Sequence, residues 1–307
     1  MSEFERYMTH LNFEDEDVVY FSSNTTKQKD KSRAKFARVR IIAKNWSDIK
    51  KKLTQKLEKE DSQEAYALLI SARTGIRIGN EFSAEGYVSK VKKIEGQFIQ
   101  TYGLSTLLKK HVSFQDDKMI LDFLGKKAVE QYMEVTDPML VEYGKKFYKA
   151  NEGEKFLNID KLEISRFIRT NINQVLTIKD FRTFCANCEA FKVYKKHIEG
   201  TPIPETKSSL SKEIKLILEK VSDKLHNTPG ICKSAYISPI FIDYVTSQRN
   251  SLIVVKEQER AKKKIEKEEA WKKMNEDRIA QGLKPLRKKR RIKKKKVEVE
   301  NEKDSTE

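Results

Sequence analysis

Between residues 98 and 135 the apolar residues fall in short, β-prone runs, and on both sides they recur at helical spacing. The runs are 98–102, 111–114, 119–124 and 129–135, separated in part by the turn signals Gln115-Asp116-Asp117 and Gly125-Lys126-Lys127. This change of period predicts a mainly α fold with a small antiparallel β-sheet, an α+β arrangement.

The helical parts can be read individually. Helices are expected over 46–59 and 63–72, the second apolar enough to be buried, and again after Asp137-Pro138. Thr177 followed by Asp180 fits a capping box and puts Arg182 in the second turn of the helix it starts. Leu210, Ile214, Leu218, Val221 and Leu225 form one apolar stripe. Residues 17–22 and 38–42 read as short strands with a basic loop, 24–33, between them. Pro229-Gly230 reads as a turn, followed by a short segment that carries Tyr236 and stops at Pro239.

Charge is concentrated at one end. In residues 284–296, KPLRKKRRIKKKK, ten of thirteen side chains are Lys or Arg, supplying +10 of the formal +17. Like charges repel, and only Leu286 and Ile292 could be buried, so this block cannot fold on itself. Ahead of it, 256–281 alternates Glu and Lys and reads as an exposed helix. With that block set aside the chain still carries +7, which makes a polyanion the expected partner.

Other classes are disfavoured. The longest uncharged run, 96–108, has 13 residues, several of them polar, so no transmembrane helix fits and no membrane role is expected. The first ten residues lack the apolar core of a secretory signal. Three cysteines are too few for a disulfide scaffold and suit a reducing, intracellular compartment. No G-x-x-x-x-G-K-[ST] is present. Cys185-Ala-Asn-Cys188 has no second ligand pair, and packed cysteines are its ordinary reading. Neither metal nor cofactor is expected.

Phosphoryl chemistry without a metal needs fixed cations for the non-bridging oxygens, an acid for the leaving oxygen, and a nucleophile. Arginine suits the first task, since its planar fork holds two oxygens and keeps its charge. Lysine suits the second, since burial can tune its proton affinity. Four stretches supply such groups: RTGIRIGNE with Arg77, LDFLGK with Lys126, KDFRT with Arg182, and NTPGICKSAYISP with Asn227 and Tyr236. Each residue alone has a plain structural reading as a packed tyrosine, a surface arginine or a turn residue.

In order, IRIGNE, YGLSTLLKKHV, LDFLGK, KDFRT and NTP-x6-Y-x2-P resemble the catalytic core shared by type IB DNA topoisomerases and tyrosine recombinases, most closely the small poxvirus-like and bacterial topoisomerase branch. The match covers more than half the chain, from about residue 65 to 239. The resemblance implies that Tyr236 attacks a DNA phosphodiester to give a 3′-phosphotyrosyl link. Arg77 and Arg182 would clamp the phosphate, Lys126 would protonate the 5′-oxygen, and Asn227 would donate to a non-bridging oxygen. Lys109, Lys110, Lys179 and Tyr20 would touch DNA. The activity implied is relaxation of supercoiled duplex DNA without ATP or metal, by a monomer working at DNA in the cytoplasm, a viral replication site or the nucleus.

Relatives carry a stranded N-terminal clamp. Here residues 1–60 would be a reduced clamp, 61–255 the catalytic domain, and 256–307 a charged helix with a basic tail. Two rivals stay open. Tyrosine recombinases or integrases share the Arg–Lys–Arg–Tyr set but usually carry His-x-x-Arg where this chain has Lys179-Asp-Phe-Arg182. The other rival is a catalytically inactive basic DNA-binding protein.

Overall fold

The computed structural model describes residues 28–286. The expected strand at 17–22, with Tyr20, lies outside the described residues, as does most of the basic block. The chain divides into two compact units, residues 1–252 and 253–307.

The first unit is helical, with two small antiparallel sheets. Its centre is α3, Gln63–Thr74, preceded by α1, Gln28–Lys44, and α2, Trp46–Glu60. Residues 65–72 of α3 are all buried, so more than two turns of this helix have no solvent face. It starts on the Ser62 hydroxyl, which accepts from the Ala65 amide, and ends at left-handed Gly75. Tyr66, fully buried, donates its hydroxyl to the Leu140 carbonyl at 3.0 Å. Burial pushes that phenol far above its ordinary pKa, so it serves as a neutral donor.

The main sheet has three strands: β3, Val112–Gln115; β4, Lys118–Gly125; and β5, Val129–Val135. They pair in the order β3-β4-β5, with Leu121 opposite Val112 on one side and Met133 on the other. Alternate residues of β5, Gln131, Met133 and Val135, face inward, as a period of two requires. Four β-prone segments were expected, but the first joins a different sheet. Only Phe98–Ile99 (β2) pairs, with Tyr87–Val88 (β1), just after the short helix α4, Glu81–Glu85. Beyond it Thr101 and Tyr102 bond to Ser83 and Leu124 instead of forming a ladder.

Helices complete the unit: α5, Pro138–Ala150; α6, Lys161–Phe167; α7, Ile178–His197; α8, Lys207–Leu225; α9, Pro229–Ile231; and α10, Pro239–Arg249. The Thr177–Asp180 capping box starts α7, and the expected stripe faces inward on α8, with Ile214 partly buried. Around α3 pack α2, α5, α6, α7 and β5.

Two other expectations are corrected. Residues 38–42 are not a strand, and 28–33 are not a loop; both belong to α1. The β-branched residues there suggest a strand, but Val39, Ile42 and Ala43 bury one helical face in the core, and packing against α7 overrides local propensity. The Pro229-Gly230 turn is the first turn of α9. Proline sits at its start and the Thr228 hydroxyl caps the Ile231 amide.

In the second unit the dominant element is α11, whose helix runs Ser251–Ala280. Past left-handed Gly282 the chain turns back, and the Leu286 amide donates to the Asn275 side chain at 2.7 Å. Among the described residues no helix is long and apolar enough to cross a membrane.

Candidate active site

Two of the expected residues, Arg182 and Arg77, converge on Tyr236 from different elements. Arg182 enters from α7, and is only 4% exposed. Its Nη1 donates to the Gly75 carbonyl and its Nη2 to the Leu225 carbonyl at 2.9 Å. Those carbonyls close α3 and α8, where helix ends carry partial negative charge, so two helix C-termini hold one guanidinium. Its Nε is buried with no partner among the described residues. The Cζ stands 5.0 Å from the centroid of the Tyr236 ring.

Arg77 lies half-buried in the loop after α3. Residues 103–105 hold that loop: Leu104 and Ser105 donate their amides to the Arg77 and Ile78 carbonyls at 2.8 and 2.7 Å. A Cβ at Gly103 would meet the Arg77 oxygen at 2.6 Å, so only glycine lets the two segments approach this closely. Thus the YGLST phrase is the support of Arg77.

Tyr236, half-buried, ends a wide, π-type turn, Cys232–Tyr236, that continues α9. Burial pushes the phenol's pKa up. The charges of Arg182 and then Arg77 outweigh this, and hydrogen bonding from both adds to them, so the net shift is downward. Arg182 feels the reverse: burial and the Arg77 charge lower its pKa, and Tyr236 partly offsets them. A guanidinium stays charged under such a load. Among the described residues no carboxylate pairs with either arginine. Two cations beside an acidified phenol and no neutralising acid make a site for an anion.

Asn227 lies two residues past Leu225. Its amide donates to the Ser222 carbonyl at 2.9 Å, while its Nδ2 is buried with no partner among the described residues. A buried unpaired donor of this kind costs about 1–3 kcal/mol. His226, before it, adopts the left-handed conformation that closes α8. Burial lowers its pKa; a hydrogen bond to the Tyr132 backbone and Asp223 oppose this, and Arg182 and Arg77 add to the lowering. The imidazole is therefore neutral near pH 7.

The other expected residues are not gathered in. Lys126 is exposed on the β4–β5 turn, and among the described residues no hydrogen bond or ion pair holds its ammonium. Lys110 and Lys179 are exposed. Lys109 is half-buried and donates to the Asn151 carbonyl, with its ammonium 5.4 Å from the Tyr148 ring centroid, so it is engaged internally. Among the described residues no group of three or more His, Cys, Asp or Glu side chains gathers as a metal ion would need. Cys185, Cys188 and Cys232 are free thiols.

Sequence reading overlooked Asn187. It sits 2% exposed in α7, donates from Nδ2 to the Tyr236 carbonyl at 2.8 Å and accepts the Ser238 amide at 3.0 Å. It grips the backbone on both sides of Ile237. The available signal was an amide among Phe184, Cys185, Ala186 and Ala190, in a run otherwise suited to full burial.

Comparison with known proteins identifies the family. The family model described as eukaryotic DNA topoisomerase I, catalytic core, matches residues 22–268. The DNA topoisomerase 1B of Acanthamoeba polyphaga mimivirus is 24% identical over 161 residues, covering 48% of this chain and 47% of that protein. That of Vaccinia virus (strain Copenhagen) is 28% identical over 165 residues, covering 51% and 48%. The DNA topoisomerase 1 of Rabbit fibroma virus (strain Kasza) is 26% identical over 161 residues, covering 52% and 49%. The chain spans about half the length of the curated relatives it matches. With the family model covering most of its length, the chain belongs to the family of the eukaryotic DNA topoisomerase I catalytic core, in its poxvirus-like, type IB form.

Proposed function

We propose that the protein relaxes supercoiled duplex DNA by cutting and resealing one strand at a time, acting as a monomer and without ATP or metal. The observation that carries this is the Tyr236 phenol beside two unneutralised guanidiniums, Arg77 and Arg182. An anion placed there would have its non-bridging oxygens facing fixed positive charge, and the phenol loses its proton more readily than an ordinary tyrosine. Its oxygen attacks phosphorus, the P–O5′ bond breaks, and the strand is held as a 3′-phosphotyrosine with a free 5′-hydroxyl. The bond energy stays in that ester, so resealing needs no nucleotide.

Asn227 Nδ2 is the further donor to a non-bridging oxygen. Lys126 is the acid for the departing 5′-oxygen, and its exposed turn has to come to the phosphate with the DNA. Lys110 and Lys179 are backbone contacts, whereas Lys109, engaged with Asn151, is a weaker candidate. The family match supports DNA as the substrate, at DNA inside the cell. A reduced clamp in 1–60 and a catalytic region in 61–255 remain the proposed division, with α1 packed on α7.

The test is a suicide duplex whose 5′ product strand is too short to stay bound. Wild type should give a denaturation-resistant protein–DNA adduct with the label on the peptide carrying Tyr236, and Tyr236→Phe should give none. An adduct at another residue, or full relaxation by Tyr236→Phe, would overturn the reading. A monomer relaxing plasmids that lack paired sites would set it apart from a recombinase.

A further inference from the structure

The side chain of Lys35 points from α1 into the region just described. Its ammonium donates to the Ala235 carbonyl, immediately before Tyr236, at 2.6 Å. Nothing in the motifs around Arg77, Lys126, Arg182 or Asn227 involves this residue, which lies 30 positions ahead of them in the chain or more.

The carbonyl it takes needs a partner. The turn Cys232–Tyr236 closes with the Ile237 amide on the Cys232 carbonyl at 2.9 Å, and Ile237 then leaves in an extended conformation. The last carbonyls of such a turn have no helical donor ahead of them. Two consecutive ones are met by side chains from different helices: Ala235 by Lys35 of α1 and Tyr236 by Asn187 of α7. Wide turns of this kind are costlier than α-helix and persist where surroundings hold them. Released at Ala235, the turn could tighten and swing residue 236 about its axis, away from the arginines.

Lys35 is itself fixed. One turn along α1, Arg38 Nε bonds Asp180 Oδ2 at 2.9 Å, and that carboxylate, 1% exposed, also caps α7 through Thr177. Val39, Ile42 and Ala43 bury the rest of that face. The helix bearing Arg182 and Asn187 is thus the one to which α1 is fastened. Burial lowers the Lys35 pKa, Tyr236 and Asp180 oppose this, and Arg38 adds to it, which places the ammonium within electrostatic reach of the phenol.

We infer that Lys35 is a positioning residue for the nucleophile, holding the Ala235 carbonyl so that the turn aims the Tyr236 phenol at the phosphate between Arg77 and Arg182. The inference rests on Tyr236 being the nucleophile. It makes α1, ahead of every recognisable motif, part of the active site's support.

The experiment compares Lys35→Met, Lys35→Gln and Lys35→Arg in single-turnover cleavage of the suicide duplex at saturating protein. Duplex affinity is measured for the same substitutions in a Tyr236→Phe background. Lys35→Met should cleave about 10- to 100-fold more slowly, the worth of one hydrogen bond from a charged donor, with affinity changed less than about twofold. Lys35→Arg, which keeps a charged donor, should recover most of the rate. Urea midpoints verify folding, and if Lys35→Met is unfolded, Lys35→Gln decides on the same criterion. Cleavage at the wild-type rate by a folded Met or Gln variant would overturn the inference while leaving Tyr236 in place. So would a loss that follows weakened DNA binding, which would make Lys35 a phosphate contact. A wild-type protein forming no Tyr236 adduct would instead remove the reading beneath it.

Discussion

Arg182 and Lys126 belong to one proposed reaction, yet their surroundings are opposite. Arg182 is buried, and the ends of α3 and α8 each offer a carbonyl to hold it. Lys126 is exposed on a hairpin turn, with no fixed partner among the described residues. The difference follows from what each must do. A clamp for a charged phosphate works best rigid and charged before the substrate arrives, because reorganising it would cost part of its benefit. A proton donor has to deliver a proton and be reprotonated, so exposure to water is useful until DNA covers it.

Substitutions can break this contrast. Beyond the complete loss expected for Tyr236→Phe, Arg182→Ala should slow cleavage by about 10²–10³ and also lower stability. It strands the Gly75 and Leu225 carbonyls, at about 1–3 kcal/mol for each left unpaired. Lys126→Ala should slow cleavage by a comparable factor while the unfolding free energy from urea denaturation stays within about 0.5 kcal/mol of wild type. A substrate with a 5′-thiol leaving group, which departs without a proton, should restore the Lys126 variant and leave the Arg182 variant slow. Equal rescue of both would erase the distinction.

Gly75→Ala sharpens the same point without removing a charge. Gly75 has φ of 71°, and a Cβ there would stand 2.4 Å from Leu225 Cδ2. The substitution should destabilise by about 1–3 kcal/mol, measured by urea unfolding, and slow cleavage because the Arg182 acceptor shifts. Unchanged values would mean that the helix ends are not a rigid seat.

Cleavage should also report the phenol's environment. Arg182 and Arg77 lower the pKa of Tyr236, so the nucleophilic anion becomes available at lower pH than for a free tyrosine. The single-turnover rate should rise with pH and level off above that lowered value. In Arg77→Ala, with one stabilising charge gone, the rise should move to higher pH. A profile that stays in place would separate Arg77 from the phenol. The smallest effect concerns the basic block: deleting 284–296 should leave cleavage at low salt intact. The log–log salt dependence of DNA affinity should flatten by about 0.9 for each phosphate that the block neutralises in the full chain.

Periodicity made much of this fold legible. The β4–β5 hairpin, buried α3, the α7 capping box and the α8 stripe all follow from local pattern, because each buries a face spaced at 2 or 3.6 residues. Pattern failed at α1, where Val39, Ile41 and Ile42 resemble a strand and only packing against α7 makes them helical. It failed again at Thr101 and Tyr102, whose amides bond to Ser83 of α4 and Leu124 of β4. Within the site, motif order pointed to Arg77, Arg182 and Tyr236, and these do meet. Asn187 and Lys35 stayed hidden because each acts on a main-chain carbonyl some 50 and 200 positions away. Every residue has such a carbonyl, so no side-chain pattern marks those positions.

The two arginines have one more consequence, for the protein when no DNA is bound. Arg77 and Arg182 repel each other, and among the described residues no carboxylate pairs with either to quench them. Folding therefore holds a like-charge strain that any small multivalent anion relieves. The free protein's melting temperature should thus depend on which buffer anion it is kept in, with phosphate or sulfate favoured over chloride.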